Sequence, residues 1–300
     1  MEIYLSAPRG FCAGVVRAVD IVDVALERYG PPIFVKHQIV HNPHVVKALE
    51  EKGAVTVEDV DQIPIGANVV FSAHGSAPAD FQKASERELN VIDATCPLVT
   101  RVHNEAKKYS REGKKIILVG HRGHQEVKGT MGQSEMVLLD EREQTDIPNW
   151  NTDDQVAVLT QTTLSVDDTA AMIDKIRGKF RSPTIRDDIC YATTNRQSAV
   201  KEVAQKVELV LVIGAQNSSN CQRLREVAED SGIPAYLING PEELKKSWFK
   251  GIQRVGVTAG ASTPEDMVQA VISSLDPVNV INVGEQEEDI TFVLPKQLRF

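Results

Sequence analysis

Three of the four cysteines stand in one local setting, after a short apolar stretch and before a helical pattern. Cys96 follows the apolar residues at 91–92 and precedes Pro97. Proline is tolerated at the first position of a helix because the N–H it lacks would have no partner there. Cys12 and Cys190 repeat the plan. The pattern predicts three thiols at strand-to-helix junctions, where they can act as nucleophiles or as ligands of a metal or cluster.

Three thiolates from distant parts of a chain suit a 4Fe–4S cluster that has three cysteine ligands and one open iron. A structural zinc site more often uses closely spaced cysteine pairs and a fourth ligand. The residues therefore favour iron–sulfur over zinc without excluding zinc, and a buried structural thiol is the commonest fate of a single cysteine. Cys221 has no counterpart elsewhere in the chain, and we interpret it as an unliganded thiol.

Polar loops recur at a nearly constant distance from these cysteines. His41, His124 and Ser218 lie 29, 28 and 28 residues after Cys12, Cys96 and Cys190, and each follows a predicted apolar strand, at 33–35, 116–119 and 209–213. A second set of polar loops, at 72–75, 160–163 and 258–262, follows three further predicted strands, at 68–71, 156–159 and 255–257. The repetition predicts one strand-and-helix module present in three diverged copies.

The predicted fold is α/β, with three modules of mainly parallel sheet in a pseudo-threefold arrangement around a central iron–sulfur site. The modules span residues 1–95, 96–189 and 190–300, the last with a C-terminal closing segment. We expect the tail at 278–300, with an apolar strand at 290–294, to close the assembly beside the N-terminal strand. Ligands of parallel sheets bind beyond the carboxyl ends of the strands, where all the polar loops fall.

The loop residues suit a phosphate or diphosphate. His41, His74, Ser218, Asn220 and Ser262 offer donors near predicted helix starts, and each hydrogen bond to a charged group is worth about 1.5–3 kcal/mol. Any one serine or asparagine here is more simply an ordinary helix cap. That simpler interpretation explains neither the histidines nor the shared loop position.

Glu126 is the only carboxylate in the glycine-rich loop of the second module. Beside a metal cluster, with Thr162 reaching it from the neighbouring loop, this carboxyl can deliver protons. A solvated loop glutamate is the alternative interpretation.

Composition narrows the function. The net charge of −9 argues against a nucleic-acid surface, and the longest apolar runs are too short to span a bilayer. Met1 leads directly into a strand pattern, so we expect no signal peptide and a cytoplasmic protein.

Long motifs resemble those of the 4-hydroxy-3-methylbut-2-enyl diphosphate reductase family. They are PRGFCAG at 8–14, SAHG at 72–75, DATCPLV at 93–99, GHRGHQE at 120–126, QTTLSVDD at 161–168, DICYATTNRQ at 188–197, NSSN at 217–220 and VTAGAS at 257–262. The resemblance extends from the first strand to the end of the chain, without a departure at a motif position.

The resemblance implies the last step of the non-mevalonate isoprenoid pathway, a two-electron, two-proton reductive dehydroxylation that yields isopentenyl and dimethylallyl diphosphates. It implies a 4Fe–4S cofactor on Cys12, Cys96 and Cys190, and a one-electron donor such as ferredoxin or flavodoxin. The residues it implies for the diphosphate are His41, His74, His124, Ser218, Ser219, Asn220 and Ser262. Glu126 matches the proton-relay acid, and Thr162 matches the threonine that orients the substrate hydroxyl.

Two rival functions remain open from the sequence. A Lewis-acid dehydratase or condensing enzyme of the quinolinate synthase type also uses three modules and three cysteines, but it needs no redox cycling. A non-catalytic iron–sulfur sensor is the other rival, and the anion-binding loops and Glu126 argue against it.

Overall fold

The computed structural model describes residues 1–143, 145–186, 188–284 and 288–299. Within these ranges, thirteen strands form three sheets in which every hydrogen-bonded pair of strands is parallel. The predicted α/β class with parallel sheets is confirmed.

The elements alternate along the chain. The strands are β1 (Glu2–Ser6), β2 (Ile33–Lys36), β3 (Ala54–Val57), β4 (Asn68–Phe71), β5 (Asn90–Asp93), β6 (Lys115–Val119), β7 (Val137–Leu139), β8 (Val156–Thr160), β9 (Thr184–Ile185), β10 (Leu209–Ile213), β11 (Ala235–Ile238), β12 (Arg254–Ala259) and β13 (Asn279–Val283). The α-helices of the described ranges are α1 (Ala13–Tyr29), α2 (Pro43–Glu51), α3 (Pro78–Glu86), α4 (Pro97–Arg111), α5 (Gln125–Met131), α6 (Val166–Lys179), α7 (Tyr191–Ala204), α8 (Ser219–Asp230) and α9 (Glu265–Leu275).

Each sheet has its own strand order. The first sheet is ordered β3-β2-β4-β5, the second β7-β6-β8-β9, and the third β11-β10-β12-β1-β13. The N-terminal strand therefore belongs to the sheet that the last third of the chain builds.

The chain divides into two compact units. One comprises residues 1–15, 41–45 and 191–291 and contains the third sheet, and the other comprises residues 16–40, 46–190 and 292–300 and contains the first and second sheets. The predicted module boundaries, after residues 95 and 189, and the pseudo-threefold arrangement stay predictions.

The central strands read as unbroken apolar runs because helices cover both faces of a parallel sheet. All five residues of β10 are buried. Leu211 packs with Val268 on one face, and Val212 packs with Leu224 on the other. The strand predicted at 209–213 is present with those bounds.

The predicted strand at 290–294 is wrong, whereas the predicted place of the 278–300 tail beside the N-terminal strand is confirmed. Within this tail, the strand that pairs with β1 is β13, with Glu2 opposite Asn279. In the tail, the carbonyl oxygens of Val293 and Leu294 accept hydrogen bonds from arginine side chains, at 2.9 Å from Arg17 and 2.7 Å from Arg299. These side-chain donors occupy carbonyl groups that a neighbouring strand would otherwise use.

Helix α5 packs closely on the loop that follows β4. A Cβ atom added at Gly129, in α5, would lie 2.8 Å from the carbonyl oxygen of Gly75. Gly75 itself has φ +83°, a backbone conformation that favours glycine. The two glycines let α5, which carries Glu126, approach the loop that carries His74.

This close approach predicts that Gly129→Ala destabilises the protein. The new methyl group would press on the Gly75 backbone, and we expect the free energy of unfolding to fall by about 1–3 kcal/mol in urea denaturation. Gly178→Ala in α6 is the matched control because nothing lies within 4 Å of the place its new Cβ atom would take, and it should gain roughly 0.5–1 kcal/mol of helix propensity. Equal effects of both substitutions would contradict this account.

Candidate active site

Each of the three recurring cysteines immediately precedes a helix. Cys12 stands before α1, Cys96 before α4 and Cys190 before α7. All three are partly exposed, whereas Cys221 is fully buried and burial raises its pKa to about 11. The predicted strand-to-helix setting is confirmed. A helix N-terminus stabilises negative charge at all four cysteines, since Cys221 lies in the first turn of α8. Burial opposes ionisation of Cys221, so the three partly exposed positions suit thiolate ligands better.

In the first unit, the loop that carries Cys12 is fastened to the end of β12. Gly10 N donates to the Ala259 carbonyl at 3.3 Å, and Cys12 N donates to the Ala261 carbonyl at 3.2 Å. Gly10 has φ +66°, and a Cβ atom there would lie 3.0 Å from the Thr263 carbonyl oxygen, so the turn requires glycine.

A buried arginine that the sequence motifs did not single out completes this support. Arg196 has no exposed surface. Its guanidinium donates to the Gly10 carbonyl at 2.8 and 3.2 Å and forms a bidentate ion pair with Glu288 at 3.0 and 3.1 Å. In the sequence, the signal that could have identified Arg196 was its position inside the 188–197 motif. Arg196 thus holds the turn before Cys12 through its hydrogen bonds to the Gly10 carbonyl.

Five of the predicted anion-binding residues lie in the first unit, and hydrogen bonds connect the segments of three of them, His41, Asn220 and Ser262. Ser262 Oγ donates to the His41 carbonyl at 3.0 Å, and Asn220 Oδ1 accepts from Ala261 N, next to Ser262, at 3.0 Å. Ser218 Oγ caps α8 by accepting from Cys221 N at 3.4 Å. Ser219 is the first residue of that helix.

Asn220 also carries a donor that no described group satisfies. Its Nδ2 is buried without a hydrogen-bond partner among the described residues. Leaving such a donor unsatisfied costs about 1–3 kcal/mol, which an anionic ligand would recover. The amide therefore fits a phosphate site better than it fits a helix cap alone.

In the second unit, Glu126 and Thr162 form a buried pair. The Thr162 backbone N–H donates to Glu126 Oε1 at 2.6 Å, and the Thr162 hydroxyl donates to Oε2 at 2.8 Å. The Thr162 carbonyl in turn accepts from Cys190 N at 3.0 Å. One residue thus joins the candidate acid to the backbone of a candidate cluster ligand.

Burial makes Glu126 a weak acid. The side chain is 3% exposed, and burial raises its pKa to about 7, against the lowering effect of the two bonds from Thr162. Because this pKa is higher than in the unfolded chain, the group stabilises the fold at acidic pH and loses that contribution as the pH rises through about 7. Near neutral pH the carboxyl is half protonated and can donate a proton.

Two histidines lie beside this pair. His124 caps α5, where its Nδ1 accepts from Glu126 N at 3.2 Å, so a neutral His124 carries its proton on Nε2. The His74 ring meets the His124 ring edge-on, with centroids 6.0 Å apart. His74 Nδ1 lies 3.3 Å from Ser72 Oγ. The second unit therefore brings together His74, His124, Glu126 and Thr162.

Two kinds of structure are absent from the described residues. Among them, no group of three or more His, Cys, Asp or Glu side chains is arranged to hold a metal ion. No helix of that part of the chain is long and apolar enough to cross a membrane.

The family model described as LytB protein matches residues 3–276. This chain belongs to the LytB protein family. The match covers β1 to α9 and includes all the residues predicted for the site.

Relatives in the LytB family agree with the resemblance predicted from the motifs, which is confirmed. The chain is 53% identical to a protein of Azotobacter vinelandii and 52% identical to one of Pseudomonas entomophila, both named 4-hydroxy-3-methylbut-2-enyl diphosphate reductase. Each comparison covers 100% of this chain and 98% of the relative.

Solved structures support the fold assignment. A Plasmodium falciparum structure described as E-1-hydroxy-2-methyl-but-2-enyl-4-diphosphate reductase superposes with a TM-score of 0.95 at 37% identity, covering 99% of this chain and 96% of that one. A second, described as (E)-4-hydroxy-3-methyl-but-2-enyl diphosphate reductase, the terminal enzyme of the non-mevalonate pathway, has a TM-score of 0.67 at 32% identity, covering 92% of this chain and 99% of that one.

The Glu126–Thr162 geometry predicts that Thr162→Val raises the pKa of Glu126 further. The hydrogen bond from the Thr162 hydroxyl stabilises the charged carboxylate. The substitution removes this bond and retains the one from the backbone N–H. Infrared difference spectra, with Glu126→Gln as the reference, should show the protonated carboxyl band titrating near pH 7 in the wild-type protein and higher in the variant. The exposed Thr152→Val is the control. An unchanged midpoint would show that the hydroxyl bond does not set this pKa.

Proposed function

We propose that this chain is a 4-hydroxy-3-methylbut-2-enyl diphosphate reductase. The reaction consumes two electrons and two protons, breaks the bond between C4 and its hydroxyl oxygen, and releases water with isopentenyl or dimethylallyl diphosphate. The observation that carries the proposal is the buried Glu126–Thr162 pair, hydrogen-bonded to the backbone of Cys190, in a full-length relative of named reductases.

We assign Cys12, Cys96 and Cys190 as the ligands of a 4Fe–4S cluster with one open iron. The donor set fits such a group because all three thiols are partly exposed and stand at helix N-termini. When bound, the cluster supplies two successive one-electron reductions and a Lewis-acidic iron for the substrate hydroxyl.

The anion-binding residues hold the diphosphate. They are His41, His74, His124, Ser218, Ser219, Asn220 and Ser262. The unsatisfied Asn220 Nδ2 and the N-terminus of α8 supply donors to phosphate oxygens. Ser262 has one hydroxyl proton, which it gives to the His41 carbonyl, so binding a phosphate oxygen requires that hydroxyl to rotate. Anchoring the diphosphate turns binding energy into orientation of the C4 hydroxyl.

The proton route follows from the hydrogen bonds. Glu126 Oε1 already accepts from the Thr162 N–H, so the acidic proton belongs on Oε2, which faces the Thr162 hydroxyl. Glu126 then donates to Thr162 Oγ1, and the hydroxyl proton of Thr162 turns to the departing oxygen of the substrate. Because only protonated Glu126 can act in this way, the rate should fall as the pH rises above about 7.

Electrons must arrive singly, and we propose a one-electron donor such as ferredoxin or flavodoxin in the cytoplasm. The primary test is anaerobic: iron and sulfide content, then turnover of 4-hydroxy-3-methylbut-2-enyl diphosphate with reduced methyl viologen. Formation of both five-carbon diphosphates would support the proposal. A cluster that does not turn over this substrate would favour the Lewis-acid rival, and zinc in place of iron would contradict the cofactor assignment.

Glu126→Gln should retain the cluster and lose activity. We expect a rate at least about 10²-fold lower, as for the loss of a general acid, with unchanged iron and sulfide content. Glu135→Gln, an exposed position after α5, is the control. Turnover of the Glu126 variant at the control rate would remove Glu126 from the mechanism.

Ser262→Ala should weaken substrate binding and spare the cluster. The variant loses a diphosphate donor and the bond that holds the His41 carbonyl, so we expect KM to rise roughly tenfold or more. The comparison is Ser273→Ala, which changes an exposed serine of α9. If substrate affinity matches that of the control variant, Ser262 does not bind the diphosphate.

A further inference from the structure

Arg17 fastens the chain immediately before Cys96. Its Nη1 donates to the carbonyl oxygens of Ala94 and Thr95, at 3.3 and 3.1 Å. These are the two residues that precede Cys96, whose own N–H donates to the Ala73 carbonyl at 3.0 Å. The guanidinium and the Ala73 carbonyl therefore fix the loop on both sides of the peptide bond that leads into Cys96.

The same guanidinium holds the C-terminal tail. Its Nε donates to the Val293 carbonyl at 2.9 Å. All these contacts lie within the second unit. The described hydrogen bonds of Arg17 all end on carbonyl oxygens, and the charged groups that act on it, Asp93 first among them, do so without a described hydrogen bond.

Those groups include Cys96. Burial lowers the pKa of Arg17, whereas the nearby Asp93 and Cys96 act to raise it and Arg299 acts to lower it. Arginine keeps its charge under all these influences. A fixed positive charge thus stands close enough to Cys96 to interact with it electrostatically.

We propose that the charge of Arg17 raises the reduction potential of a cluster held by Cys96, an inference that rests on the proposed function. Transfer of one electron oxidises the donor by one unit and adds one negative charge to the cluster and its thiolates, with no bond made or broken. A fixed guanidinium nearby stabilises that added charge and favours reduction. Arg17 thereby helps the protein accept electrons from a weak one-electron reductant.

The test separates charge from mechanical support. Arg17→Lys keeps the charge but cannot reproduce the planar fork to two carbonyls, whereas Arg17→Gln removes the charge. Arg28→Gln is the matched control because it removes the same charge from the far end of α1. Each reconstituted protein is titrated anaerobically, with the reduced cluster followed by EPR, and the iron and sulfide content is measured.

We expect Arg17→Gln to lower the equilibrium constant for reduction of the cluster on the order of tenfold, as for the loss of one charge at an effective dielectric near 20. The clusters of Arg17→Lys and Arg28→Gln should be reduced at the same potential as the wild-type cluster. Identical titration of Arg17→Gln and the wild type would overturn the proposal, and so would equal shifts of both Arg17 variants, which indicate support alone.

Two further outcomes are decisive. If Arg17→Gln folds without binding a cluster, Arg17→Lys decides, because retention by the lysine variant supports the role of charge and loss of the cluster there contradicts it. If the wild-type protein itself binds no cluster, the proposed function fails together with this inference. A wild-type cluster with unaltered titration in Arg17→Gln contradicts the role of Arg17 alone.

Discussion

Parallel strands cannot be joined by a tight turn, and this constraint places the functional loops of the chain. Each strand must be followed by a crossover before the next parallel strand, so the carboxyl ends of a sheet share one edge. In the second sheet, that edge collects the start of α5, which carries Glu126, and the loop after β8, which carries Thr162. In the third, it collects the start of α8, which carries Asn220, and the loop after β12, which carries Ser262. Residues far apart in sequence become hydrogen-bonded neighbours in consequence.

The chemistry of the second unit depends on a balance between burial and hydrogen bonding. Burial alone would make Glu126 a still weaker acid, and the two bonds from Thr162 limit that effect. The result is a pKa near 7. At neutral pH, part of the carboxyl is therefore protonated and can donate its proton. Thr162 also accepts from the Cys190 N–H, so one residue is hydrogen-bonded both to the Glu126 carboxyl and to the backbone of Cys190.

Arginines support the cysteine loops in both units by binding carbonyl groups. Arg196 donates to Gly10 before Cys12, and Arg17 donates to Ala94 and Thr95 before Cys96. Their electrostatic settings differ. Glu288 forms a bidentate ion pair with Arg196, whereas the described hydrogen bonds of Arg17 end on neutral carbonyls and its charge acts on Asp93 and Cys96 without a described hydrogen bond to either.

The sequence by itself determined the α/β class, the strands at 68–71 and 209–213, the cysteines at helix starts and the family, because these follow from local patterns and long motifs. The tertiary structure alone decided that β13, rather than residues 290–294, is the strand of the tail that pairs with β1, that Arg17 reaches a loop 77 residues away, and that burial raises the pKa of Glu126. The physical reason is the distance along the sequence between the residues that determine each feature. Helix starts and apolar runs are fixed by neighbouring residues, whereas pairing partners, burial and charge environments are fixed by segments that the fold brings together.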